Sequence, residues 1–143
     1  MKQKGFTLLE IIIVVALFAI LAALGLFIGL DLYRGYALAS ERSTVVNILE
    51  KARSQSVNNI NQTPHGVHFT GSAYVIFQGA SYASRDQSYD EVITSAPGVT
   101  AGGVTETVFT QLEGSANPTG EVTVSNGLKS MTISINNEGR INW

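Results

Sequence analysis

Glu10 is the residue whose placement in this chain demands chemistry. It stands inside an apolar block, followed by an unbroken run of 20 residues, Ile11 to Leu30, made only of Ile, Val, Ala, Leu, Phe and Gly. Such a run is long enough to cross roughly 30 Å of hydrocarbon as a helix. A charge at the bilayer centre costs at least about 2.5 kcal/mol on insertion scales, so an acidic residue in an apolar block calls for a partner that compensates its charge. Elsewhere the residues that could ligate or titrate are sparse. His65 and His68 flank Gly66 and Val67, where strand alternation puts them on opposite faces, and no acidic residue is near them in sequence. They read as ordinary loop and surface histidines rather than metal ligands. Asp86, Asp90 and Glu91 offer carboxylates for calcium, but their spacing departs from an EF-hand loop and a solvated acidic loop is the expectation. Asn61-Gln62-Thr63 fits a glycosylation sequon, a pattern frequent by chance and given no role. No Ser/His/Asp grouping, nucleotide loop or cofactor motif is readable, so no enzyme activity and no cofactor are expected.

The stretch Lys4-Gly5-Phe6-Thr7-Leu8-Leu9-Glu10 joins a basic leader, a glycine, a phenylalanine and a glutamate five residues after the glycine. It resembles the class III leader of type IV prepilins and pseudopilins. The resemblance implies that a membrane-embedded prepilin peptidase cuts between Gly5 and Phe6 and methylates the new amine of Phe6. It also implies that Glu10 pairs with a neighbouring subunit's amine during assembly. Two buried charges can offset each other in that way, because removing either leaves the other unpaired. Methylation keeps the charge, so the pairing survives it. The partners implied are prepilin peptidase, other pilin or pseudopilin subunits and assembly platform proteins.

The order of the leader supports retention of the apolar block. A secretory signal carries its cleavage site after the apolar core, whereas Gly5-Phe6 precedes it. Lys2 and Lys4 lie before the span and Asp31 after it. The positive-inside rule then gives a single pass with the N-terminus cytoplasmic and the bulk extracytoplasmic, and the resemblance implies that the membrane is the bacterial inner membrane. From Asp31 onward seven Lys/Arg stand against ten Asp/Glu. Nucleic-acid binding needs a basic patch or stripe to neutralise phosphates, and no such run appears.

These residues require a long helix to carry them. Leu38, Val45, Leu49 and Ala52 recur at helical spacing, with Glu41, Arg42, Asn47, Glu50 and Lys51 as intervening polar positions. That is an amphipathic continuation of the span. No proline occurs from Met1 to Thr63, so one helix is predicted from about Phe6 to about Asn58. Gly25 and Gly29 form a G-x-x-x-G pair that would permit close helix approach in a membrane. The segment Asn58 to Pro64 ends the helix. Beyond it the period becomes that of strands. Val67 to Phe69 and Tyr74 to Phe77 flank Thr70-Gly71-Ser72, while Glu121 to Ser125 and Leu128 to Ile135 flank Asn126-Gly127. Both read as hairpins. Thr107 to Leu112 is a further strand, Arg140 to Trp143 a short last one, and Gly79 to Gly103 a long loop suited to subunit-specific contact.

The predicted fold class is therefore α+β, a long N-terminal helix packed on a small antiparallel β-sheet, which agrees with the pilin-like fold that the resemblance implies. The expected segments are a cleaved leader 1–5, a transmembrane and assembly helix 6–30, an amphipathic continuation 31–60 and an extracytoplasmic sheet domain 61–143. With 143 residues and no cysteine, there is room for one small domain that packing alone must stabilise. Two features depart from many pilins: the helix lacks their proline and the domain lacks their C-terminal disulfide. The helix end Ala52 to Ser56, the following hairpin and the late segment Ile133 to Ile141 look like the minor pseudopilin H and FimT-like group. Three roles follow for comparison: a minor subunit of a type II secretion pseudopilus or type IV pilus, a major pilin or DNA-uptake minor pilin, and a membrane-anchored binding protein that never polymerises.

Overall fold

A computed structural model describes residues 5–143, apart from the side chains of Phe27, Ile28 and Asp31. Helix α1 spans Leu8–Val57. Its sequence is free of proline and begins with strong helix formers, so nothing interrupts it internally. It stops where Asn59 and Asn61 take left-handed backbone conformations, φ 55° and 53°. Asparagine tolerates that region better than most residues, which suits it to a helix end.

The chain divides into two compact units, the first ending at Gly35 and the second running Tyr36–Trp143. In the first, the apolar side chains from Leu8 to Leu26 are exposed, and Leu8–Leu26 is long and apolar enough to cross a membrane.

The second unit holds the core. Nine strands form two antiparallel sheets. The first contains β1 (His65–Phe69), β2 (Ala73–Gln78), β3 (Glu91–Thr94), β5 (Glu106–Phe109) and β6 (Ala116–Asn117), ordered β3-β2-β1-β5-β6. The second contains β4 (Thr100–Gly103), β7 (Gly120–Ser125), β8 (Ser130–Ile135) and β9 (Ile141–Asn142), ordered β4-β7-β8-β9. Both predicted hairpins are present, with Val67 opposite Ile76 and Val122 opposite Ile133.

Leu38, Val45, Leu49 and Ala52 are fully buried and join one cluster with Val67, Tyr74, Phe109, Val122, Val124 and Ile133. The helix stripe thus covers the apolar faces of strands from both sheets, as a sheet with one apolar face requires. Asn47, Glu50 and Lys51 face water.

Three expectations are corrected. The stretch from Gly79 to Gly103 is not one long loop, because it contains β3 and β4 besides two short 3-10 turns. Its low apolar content misled the reading: both are edge strands, with Val92 exposed and β4 reading Thr-Ala-Gly-Gly. Edge strands need not show strong alternation, since they are short and bordered by water. The strand expected over Thr107 to Leu112 begins at Glu106 and ends at Phe109, and Leu112 adopts φ 69° in the turn that follows. Glu41 does not belong with the solvated polar positions. It is 5% exposed, three residues after Leu38 and four before Val45, and so within the buried stripe.

Candidate functional site

The start of α1 is organised by Thr7. Its carbonyl accepts the first helical bond from the Ile11 N–H at 3.2 Å, and its hydroxyl accepts from the Glu10 N–H at 3.2 Å. Thr7 is therefore the N-cap and Glu10 the third helical residue, the Thr-x-x-Glu spacing of a capping box. A carboxylate there is also favoured by the positive end of the helix dipole. Phe6 is 79% exposed, and Gly5 has nothing within 4 Å of a Cβ built on it. Among the described residues no side chain bonds the Glu10 carboxylate, which is itself exposed. Gly25 and Gly29 likewise open onto empty space. Phe6, just ahead of α1, and Glu10, Gly25 and Gly29 along it are thus all exposed.

A second concentration of chemistry lies on the first sheet. His68 on β1 is directly opposite Glu106 on β5, with its Nδ1 4.0 Å from the Glu106 carboxylate. Its ring stacks on Tyr82 at 3.8 Å between centroids and 10° between planes. The Arg85 guanidinium lies 3.6 Å from the centroid of the same Tyr82 ring. Arg85 pairs with Asp90 at 2.8 Å and donates to the Tyr82 carbonyl at 2.7 Å. The Tyr82 N–H donates to Glu106 at 3.3 Å. Burial lowers the His68 pKa most, Glu106 raises it and Arg85 lowers it, leaving it below the ordinary value.

His65 is a buried strand residue and not a surface one. Its backbone N–H donates to the Ser56 hydroxyl at 2.8 Å, tying β1 to the end of α1. Burial pushes its pKa down, opposed by a hydrogen bond to the Thr63 backbone. The acidic residues of the 86–91 segment take separate partners: Asp90 takes Arg85, Glu91 takes Lys51 at 2.6 Å, and Asp86 accepts from Ser88. Hydrogen bonds from the Ser88 side chain and backbone hold the Asp86 carboxyl below its usual range. Among the described residues no group of three histidines or carboxylates is placed to hold a metal ion.

Sequence reasoning missed Thr7, although Thr-x-x-Glu before an apolar run is a readable helix start. It missed Glu41, whose position within the periodic stripe was the available signal. It also missed the Tyr82-Arg85-Asp90 cluster. Only the β1–β5 pairing brings Glu106 beside His68, and no local pattern encodes that contact.

Residues 1–26 match the family model described as the prokaryotic N-terminal methylation motif. That motif is the class III prepilin leader, and the match supports a place in the type IV pilin and pseudopilin family, whose members are structural rather than enzymatic. With the apolar helix, it supports a membrane-anchored subunit of pilin type, processed by prepilin peptidase and assembled with other such subunits. No curated protein and no solved structure matches the chain.

Proposed function

We propose that the protein is a minor pseudopilin or pilin, a structural subunit of a type II secretion pseudopilus or type IV pilus. It is inserted in the bacterial inner membrane with its N-terminus in the cytoplasm. Prepilin peptidase removes residues 1–5 after Gly5 and methylates Phe6. The subunit then enters the array through pairing of Glu10 with a neighbour's Phe6 amine, and Gly25 and Gly29 allow the helices to approach.

The observation that carries the reading is Glu10, a carboxylate in an apolar helix with no partner for it among the described residues. A second subunit's ammonium at the same depth satisfies it, and the capped helix start fixes its position. The minor-subunit assignment draws support from the resemblance of the segment Ile133 to Ile141 to the minor pseudopilin H and FimT-like group.

The processing step is tested by intact mass of the full chain from a host with prepilin peptidase. The expected product begins at Phe6 and carries one added methyl group. A chain retaining Met1 in that host, while a known prepilin is processed, would falsify the reading.

A further inference from the structure

We propose that the His68–Tyr82–Arg85 stack is an acid-released latch. Neutral His68 holds the segment from Tyr82 to Asp90 against the first sheet, and protonation of its ring frees that segment.

Tyr82 is clasped from two sides. His68 stacks parallel to its ring at 3.8 Å, while Arg85 is centred 3.6 Å from the same ring. Two groups that close to one centroid cannot share a face, so they occupy opposite faces. The edge of Tyr82 meets Phe77 of β2 at 5.6 Å and 74°. Arg85 is in turn locked to Asp90 and to the Tyr82 carbonyl. The segment between Tyr82 and Asp90 therefore grips the sheet through this ring, and His68 is the floor on which the ring rests. Beside the ring stand two hydrogen bonds, from the Tyr82 N–H to Glu106 and from the Asp86 N–H to the Gln78 carbonyl at 3.3 Å.

Among the described residues, the charged groups facing His68 come from β5 and from the segment itself. From β5 comes Glu106, 4.0 Å from Nδ1, beyond hydrogen-bond range and already accepting from the Tyr82 N–H. From the segment itself come Arg85, across the Tyr82 ring, and Asp90, which is committed to Arg85. From β2 the residue opposite His68 is Val75, which carries no charge. An imidazolium here gains the Glu106 carboxylate at 4.0 Å, but it loses hydration and adds a second cation to the stack, and burial outweighs the carboxylate.

Burial is the largest influence on the His68 pKa and the net direction is downward. The latched state thus binds its proton more weakly than the open state, whose histidine keeps the ordinary value of 6.5. Well above that value both states are neutral and the latch is at full strength. As pH falls through it the open state takes up the proton first, and the latched state loses ground.

Amide hydrogen exchange of the full chain in detergent micelles tests this at pH 7.5 and 5.5, with each rate normalised to its intrinsic value. Peptides covering Tyr82 to Asp90 should lose protection several-fold at the lower pH, while those in β7 and β8 stay unchanged. His68→Gln should abolish that difference. Equal normalised protection of the segment at both pH values overturns the proposal, and so does the same loss in His68→Gln. Should that variant fail to fold, the unaltered chain decides by NMR. The Tyr82 amide resonance must titrate together with the His68 ring, and a Tyr82 amide that stays fixed while His68 titrates overturns the latch.

Discussion

The Tyr74 hydroxyl donates to the Glu41 carboxylate at 2.6 Å, joining α1 to β2 inside the core. The second carboxylate oxygen of Glu41 accepts the Ala96 N–H at 3.1 Å. An acidic side chain inside an apolar stripe is tolerated because both its oxygens are occupied. Burial, then the hydrogen bond and negative charge of Glu41, push the Tyr74 phenol well above its ordinary pKa, so it remains a donor.

Tyr74→Phe should therefore destabilise the folded chain by roughly 1.5–3 kcal/mol, the range for hydrogen bonds to charged groups. Glu41→Gln should cost less, since an amide can still accept from Ala96 while the tyrosine hydroxyl turns to accept from it. Urea denaturation of both variants followed by circular dichroism checks the order. A Tyr74→Phe midpoint equal to that of the unaltered protein would show that the bond is not what fixes the helix on β2.

The turn before β9 is fitted to one cation. Arg53 donates from Nε to the Gly114 carbonyl at 3.2 Å and from Nη2 to the Glu138 carbonyl at 3.4 Å. Gly139 sits beside it at φ 72°, where a Cβ would lie 1.9 Å from the Gly114 oxygen and 2.8 Å from Arg53 Nε. Gly127 in the β7–β8 turn has a similar φ of 81° but open space around it. Alanine at 127 should thus cost only the left-handed backbone strain, about 1–2 kcal/mol. At 139 the displaced carbonyl and guanidinium add to that strain, and Gly139→Ala should be the more destabilising by about 1 kcal/mol or more. Equal denaturation midpoints for the two variants would contradict this packing.

How much was legible follows from how local each signal is. The helix, its end near Asn58, and both hairpins rest on periods and turns contained within a few residues, and these are where sequence and structure agree. Glu41 was misjudged because its type outweighed its position in the stripe, although the period that placed Leu38 and Val45 also placed it. Strands β3 and β4 were invisible because edge strands have one neighbour and few apolar residues to alternate. The Tyr82 cluster depends on pairing between His68 and Glu106, separated by 38 positions, and no local pattern carries such information. In the leader the position of Glu10 was legible from composition, and its helical setting at the third residue after the Thr7 cap was legible too, from Thr-x-x-Glu, but went unread.

That helical setting sharpens the test of Glu10. A carboxylate at the third helical position is favoured by the helix dipole of its own chain, and under the proposed pairing it also meets an ammonium on a neighbour. Replacement by alanine would remove the bulk of the side chain together with its charge. Glu10→Gln removes the charge alone, because glutamine keeps the length of the side chain and the Thr7 cap is made by the backbone N–H of residue 10. The helix start and membrane insertion should persist, and insertion should become easier without a charge in the apolar block. Incorporation into filaments should fall sharply, since each neighbouring Phe6 amine then lacks its counter-charge at membrane depth. Fractionation between membrane and sheared filaments, beside the unmutated protein in a host with prepilin peptidase, reads both effects. Equal recovery in filaments would mean that the carboxylate serves only its own helix, and the pairing would have to be abandoned.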